Sequence, residues 1–400
     1  MSGAFGSSQW MYNAGGGSFY PTQINDSLRF EDGSSAYLNR TPSSTGNRKT
    51  WTWSGWVKRG NLGTWQTVFS AGTGSDHVAA RFTDSTNLFQ FYNYSSPSYN
   101  WKIDTVAVFR DSSAFYHLVL QVDSTQSTST DRIKIYINGE RQTLSGSYPS
   151  QNFDSDVNTT QPHKIGAGIN NNYLFDGYLS SIHFIDGQAL TPTSFGETKD
   201  GVWIPKDASG LTFGTNGFYL EFNSNTNDTS GNSNNWTANN ISAHDYVPDS
   251  PTNNFAVFNA LVTTHNLSEG NLRVDCDNGT AAIPSTILAE SGKLYSEILI
   301  NDLAGSNTYV RIGVVTADGI GKDLGGVTGT FAFLGDGRTY SQGSVATYGT
   351  AVSTGDVFQV ALDNDNGKLW FGINGTWMAS GNPASGSNPS LTFTAGEQMG

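Results

Sequence analysis

Cleaving a glycosidic bond takes two carboxylates, one that attacks or activates water and one that donates a proton. In a retaining enzyme they sit about 5–5.5 Å apart, which on a β-strand means acids at alternate positions. The glutamates of this chain stand at Glu31, Glu140, Glu197, Glu221, Glu269, Glu290, Glu297 and Glu397, and none has an acidic partner at that spacing. No Gly-x-Ser-x-Gly elbow presents a serine nucleophile. His117 and His183 lie inside strand-like runs, where a histidine is expected to be a core residue. Cys276 is the only cysteine, so no intrachain disulfide is expected; its neighbours Asp275 and Asp277 disfavour a reactive thiolate. Asp363-Asn364-Asp365-Asn366-Gly367 opens like a calcium loop but lacks the bidentate glutamate that closes one, and reads as a hairpin turn. The expectation is a protein that binds rather than one that catalyses.

Sugar binding fits the residues better. Sugar rings stack on aromatic faces while Asn and Asp at loop tips supply hydrogen bonds. The stretch Asn87 to Trp101 carries Phe91, Tyr92, Tyr94, Tyr99 and Trp101 among Asn and Ser. Strand alternation buries some of these, and the loop interrupted by Pro97 is expected to expose Tyr94, Tyr99 and Trp101 as ligand-binding residues. Trp377 is a further candidate.

The elements that would position these residues are short strands. The chain has 400 residues, 46 of them Gly, 12% aromatic and only 14% charged. Surface helices need more Glu, Lys, Arg and Ala than this, whereas aromatics and Gly/Asn/Asp turns suit pleated sheets. The formal net charge of -13 with no Lys/Arg cluster argues against nucleic acid; Arg48-Lys49 and Lys58-Arg59 are isolated pairs. No stretch reaches the ~18 apolar residues of a membrane span. The N-terminus has no basic-then-apolar signal pattern, so the chain is expected to be made in a cytoplasm and released by lysis.

Residues 1–27 show no strand alternation. They hold Trp10, Met11, Tyr12, Phe19 and Tyr20 around Gly15-Gly16-Gly17, as expected for an extended arm that docks on a partner protein. Alternating runs follow at 51–57, 66–70, 88–92, 116–122, 132–137 and 175–185, with a type I′ turn expected at Asn138-Gly139 and a short helical turn opening at Pro192. Residues 201–270 hold one clear strand, Gly217 to Phe222, and a polar run from Asn223 to Asn240 expected to be a surface loop or linker. Strands resume from about Asn271. The expected fold is all-β: two antiparallel jelly-roll β-sandwiches in tandem with an extended N-terminal arm. The expected division is arm 1–27, first sandwich 28–200, linker 201–270 and second sandwich 271–400.

Two resemblances sharpen this. WTWSGWVKR (51–59), FYHLVLQVDSTQ (115–126), IKIYINGE (133–140) and FDGYLSSIHFIDGQALTPTSFG (175–196) resemble laminin-G-like, concanavalin A-like domains. The opening MSGAFGSSQWMYNAG in front of such a sandwich resembles virion proteins of marine tailed bacteriophages. YGTAVSTGDVFQVALDNDNGKLWFGINGTWM (348–378), with Gly355, Asp356, Asp363, Gly367, Trp370, Phe371, Asn374 and Gly375 in its pattern, resembles a SPRY domain. A SPRY domain would carry one more strand after Gly396-Glu397. The resemblances imply a virion protein, such as a tail fibre, appendage or head decoration, that binds a host-surface glycan or receptor. They also imply homo-oligomerisation and attachment to other virion proteins through Trp10, Met11, Tyr12, Phe19 and Tyr20. The alternatives are a purely architectural virion subunit and, disfavoured by the missing acid pair, a polysaccharide-degrading enzyme. No organic cofactor is implied. Calcium is, weakly, by analogy with some laminin-G relatives, at Asp32, Asp176 and Asp186.

Overall fold

The computed structural model describes residues 19–263, 265–275, 282–303 and 310–400; Trp10, Met11, Tyr12 and Cys276 lie outside them. Among the described residues the fold is all-β, with antiparallel strands joined by turns and short 3-10 segments. Ile133–Ile137 shows why: Ile133, Ile135 and Ile137 are buried, Lys134 and Tyr136 only partly so, as a pleated strand with one face on a core requires. Asn138 (φ 49°) and Gly139 (φ 83°) then make the expected turn with both residues at positive φ. The helical turn opening at Pro192 is a 3-10 segment, Pro192–Ser194.

The first sandwich stacks two eight-stranded sheets. One runs Glu140–Arg141, Ile133–Ile137, Tyr116–Asp123, Thr50–Arg59, Gly177–Asp186, Ser27–Phe30 and Tyr246–Val247 in spatial order, with Phe218–Leu220 also paired to Gly177–Asp186. The other runs Leu144–Ser147, Ser98–Val108, Leu88–Ser95, Asp76–Phe82, Gln66–Gly72, His163–Ile165, Tyr37–Arg40 and Thr237–Asn239. The core between them is aromatic. Trp51 packs on Phe184 (5.8 Å between centroids) and Phe91 (6.1 Å), and Trp53 on Phe69 (6.3 Å).

Trp101 belongs to this core and not to an exposed loop. It is 2% exposed, edge-on to Phe91 at 4.9 Å and to Phe153 at 6.5 Å. The stretch around Pro97 is a tight hairpin in which Tyr94 pairs with Tyr99 and Ser95 with Ser98. The strand has therefore begun before Trp101, and a register shift that leaves Asn100 unpaired puts that ring on the face opposite to Tyr99, turned inward. Trp101→Phe is expected to cost about 1–3 kcal/mol of stability and to leave ligand binding unchanged, as urea unfolding and a binding titration on the same variant will show.

Residues 201–270 are not a linker in structural terms. Phe218–Leu220, Thr237–Asn239 and Tyr246–Val247 each add a strand to the first sandwich. The polar run is ordered by its own side chains: Asp228 accepts the backbone N–H groups of Tyr219, Ser230 and Asn234, and Trp236 is buried against Phe218 at 5.0 Å. Residues 249–257 are fastened to the Thr50–Arg59 strand by the buried Lys58. Its Nζ donates to Asp249 Oδ2 (2.9 Å), Asn254 Oδ1 (2.9 Å) and the Phe255 carbonyl (2.7 Å). The end of the expected arm is also folded. Tyr20 is buried, and Phe19 lies under the ammonium of Lys199 at 5.1 Å.

The second sandwich pairs a five-stranded sheet with a four-stranded one. The first holds Lys293–Leu299, Val357–Asp363, Lys368–Ile373 and Thr376–Trp377, with Leu391–Thr392 beside Lys368–Ile373; the second holds Arg311–Val315, Thr330–Leu334, Arg338–Ser341 and Ser344–Thr347. Phe333, Phe358 and Phe371 form its centre, at 4.9–5.7 Å from one another. After Gly396, Met399 is fully buried and bridges Ala289 and Thr316.

Candidate functional site

The buried histidines come first, because one of them touches a serine. His117 Nε2 lies 2.9 Å from Ser54 Oγ. Its Nδ1 accepts the indole N–H of Trp203 at 3.0 Å, so the ring proton is on Nε2 and is donated to Ser54. A histidine in that tautomer cannot take the serine's proton, and both residues are fully buried, so the pair is not a nucleophile and its base. His183 lies flat on Tyr219 at 4.1 Å and shares Nδ1 with the Ser181 carbonyl. Burial pushes His117 and His183 down to about 3 and His163 to about 4. The unfolded chain takes up protons near pH 6.5 that the folded chain refuses. Stability is therefore complete above that pH and is lost as pH falls from about 6.5 toward 3–4, by about 1.4 kcal/mol per pH unit for each histidine. His183→Phe is expected to remove one such contribution from the slope of unfolding free energy against pH; an unaltered slope would contradict the assignment.

On the outer face of the second eight-stranded sheet, Arg81 organises an aromatic group. Its guanidinium lies 4.0 Å from the Trp65 ring, 4.6 Å from Tyr92 and 5.0 Å from Tyr173. Nε and Nη2 donate to Gln90 Oε1 at 3.0 and 2.7 Å, and Gln90 donates to Asp104 at 2.7 Å. A cation clamped between ring faces fixes their orientation. Burial pushes the Tyr92 hydroxyl up to about 12. Tyr173 is held at φ 50°, a conformation rare for a bulky side chain, and Thr67 N–H locks it by donating to its carbonyl at 2.8 Å. The result is a ring left 43% exposed beside Trp65.

Trp65 and Tyr173 form walls of an open cleft of about 560 Å³, whose remaining lining includes Asp32, Gly33, Gly63, Thr64 and Asp84. Neither ring, nor Arg81, nor Asp84 is among the residues that sequence patterning singles out. The usable signals were Gly63-Thr64-Trp65, a large aromatic placed directly after a turn, and the Asn170-Asn171-Asn172-Tyr173 run. The aromatic face extends from Tyr92 to Tyr99 (5.3 Å) and on to Tyr94 (5.5 Å), with Tyr99 47% exposed and Tyr94 half-buried. Trp377 is elsewhere, half-buried on the second sandwich, edge-on to Tyr295 at 6.2 Å.

Asp32 also faces a second feature. Carboxylate oxygens of Glu31, Asp32 and Asp176 lie within 4.8 Å of one another. Asp176 is fully buried: Oδ1 accepts Asn61 N–H at 3.0 Å, while Oδ2 has no hydrogen-bond partner. Gly60 must lack a side chain here, because a Cβ would run into Asp176 Oδ1. Burial, then Glu31 and Asp32, push Asp176 up to about 8. Three clustered carboxylates with one unpaired buried oxygen fit a hard divalent cation such as calcium, which takes oxygen ligands. Asp186 does not belong to this group. Its Oδ1 accepts Asn47 N–H (2.8 Å) and Asn158 Nδ2 (2.5 Å), and its Oδ2 accepts Asn216 N–H (3.1 Å), so it ties three loops together. Calcium at about 100 times its Kd is expected to stabilise the fold by about 2.7 kcal/mol, and Asp176→Asn is expected to abolish the increment in thermal unfolding.

Comparison with family models agrees with the fold of the first sandwich. The family model described as the concanavalin A-like lectin/glucanases superfamily matches residues 32–194. No curated protein matches the sequence. Among solved structures, domains LG4-5 of the mouse laminin α1 chain are similar at 10% identity, over 95% of this chain and 83% of that one, with a TM-score of 0.34. The SAP-like pentraxin of Limulus polyphemus is similar at 16% identity, over 42% of this chain and 80% of that one, with a TM-score of 0.32. Tailspike protein 2 of Escherichia coli O157:H7 bacteriophage CAB120 is similar at 10% identity, over 44% of this chain and 27% of that one, with a TM-score of 0.28. The family match falls on the first sandwich, whose two packed antiparallel sheets are of the concanavalin A-like type.

Proposed function

We propose that this chain recognises carbohydrate through the cleft between Trp65 and Tyr173. The observation that carries the reading is the constrained aromatic pair itself. Two rings are fixed from beneath by Arg81, one of them held in an unfavourable backbone conformation, beside carboxylates and backbone groups that can hydrogen-bond sugar hydroxyls. Aromatic faces supply apolar area and orientation, and Asp32, Asp84 and Thr64 supply polar contacts at the rim. A glycan array with the purified chain tests this. Saturable binding is expected, and it is expected to be lost in Tyr173→Ala and kept in Tyr295→Ala. Binding untouched by Tyr173→Ala would place the ligand elsewhere.

We further propose a role in a bacteriophage particle, as fibre, appendage or head decoration, with host-surface glycan as the target. What supports this is the resemblance of the opening MSGAFGSSQWMYNAG to phage virion proteins. The reading of residues 271–400 as SPRY-like rests likewise on the pattern from Gly355 to Gly375. Attachment would use Trp10, Met11 and Tyr12, since Tyr20 is packed into the folded body. Removing residues 1–18 is expected to leave thermal unfolding unchanged and to prevent incorporation into particles. Normal incorporation would remove the arm from the account.

A further inference from the structure

We infer that the cleft takes uncharged linear oligosaccharides, held along several rings, and discriminates against glycans bearing carboxylate, sulfate or phosphate. The inference rests on the sugar-binding reading and adds the ligand's charge and length.

Charge is set by what lines the cleft. Asp32 and Asp84 both face it, and no basic side chain is among its lining residues. The nearest cation of the aromatic group, Arg81, is 6% exposed, lies beneath the rings and is already bonded to Gln90. An anionic sugar stacked on Trp65 or Tyr173 would thus meet the Asp32 and Asp84 carboxylates with no basic side chain to offset them, and Glu31 stands behind Asp32. The hydroxyls of a neutral sugar instead donate to those same oxygens, which suit them as acceptors. Lys102 stands at the far end of the face, 5.5 Å over Tyr99, with Asp104 two residues along the same strand face.

Length is set by the separation of the exposed rings. Contacts of 4.0–5.5 Å run from Trp65 and Tyr173 through the buried Arg81 and Tyr92 to Tyr99 and Tyr94, so the rings open to a ligand stand at the two ends of one face. It runs across the strands Gln66–Gly72, Asp76–Phe82, Leu88–Ser95 and Ser98–Val108. Three interstrand steps amount to about 14 Å, the reach of a short oligosaccharide and not of one sugar.

The test titrates the full chain with neutral linear oligosaccharides of two to six sugars and with their uronic-acid or sulfated counterparts, in calcium and in chelator. Affinity for the neutral series is expected to climb about tenfold with length before levelling, and each acidic counterpart to bind about tenfold more weakly. Asp84→Asn is expected to narrow that penalty, most visibly at low salt. Equal or tighter binding of the acidic glycans in either buffer, or affinity independent of length, overturns the inference while the sugar-binding reading stands. Absence of binding to every member of both series overturns the two together.

Discussion

Lys58→Ala is expected to lower the unfolding free energy by about 3–5 kcal/mol, the cost of leaving one member of a buried ion pair uncompensated. Lys58 is fully buried and Asp249 nearly so. The ammonium donates three hydrogen bonds and lies 5.5 Å from the Tyr178 ring and 5.7 Å from Phe115. Burial pushes Lys58 down and Asp249 up, and each resists the other's shift. Truncation strands Asp249 and removes the anchor of residues 249–257, so protease sensitivity is expected to appear there before the sandwich unfolds. Replacing both partners, Lys58→Met with Asp249→Leu, is expected to recover much of the loss. A cost below about 1 kcal/mol for the single variant would show that the segment is held mainly by Val257 and its apolar neighbours instead.

Lys58 also shows what a sequence hides. Beside Arg59 it reads as an isolated basic pair, yet both are fully buried on opposite faces of one strand: Lys58 toward Asp249, Arg59 toward Asn87 and the Phe109 carbonyl. The fold class was legible because alternation and turn residues are local. Ile133 to Ile137, Asn138-Gly139 and Pro192 each announce their conformation within a few residues. The candidate site was legible only in part. Tyr99 lies on the correct sheet face and is exposed; Trp101, two residues on, would share that face by alternation, but an irregularity in pairing at Asn100 turns it inward, and nothing local announces that extra residue. The Trp65–Tyr173 cleft depends on a strand start and a distant loop meeting over Arg81, a convergence that no local pattern encodes. The same holds for the acidic group: Asp32 and Asp176 meet, Glu31 joins them, and Asp186, equally acidic and equally placed at a strand end, is drawn into a hydrogen-bonded knot elsewhere.

The second large effect concerns Trp65. Trp65→Ala is expected to weaken glycan binding by about 30-fold or more, corresponding to at least about 2 kcal/mol, as for a central aromatic anchor. The ring is an edge of the cleft and also the nearest face on Arg81, so its removal takes away contact area and the clamp together. Because Trp65 is only half-buried and precedes its strand, the fold is expected to survive, with a change in thermal midpoint small beside that of Lys58→Ala. Loss of binding with an intact midpoint separates recognition from folding.

The most direct test of the central claim is amide hydrogen exchange with and without a bound oligosaccharide. Recognition at the cleft predicts slowed exchange at residues 61–67, around Asp84 and at 171–175, with little change in the second sandwich. Protection confined to the Tyr295–Trp377 face, or absent from the loops carrying Trp65 and Tyr173 while a glycan is bound, would contradict it.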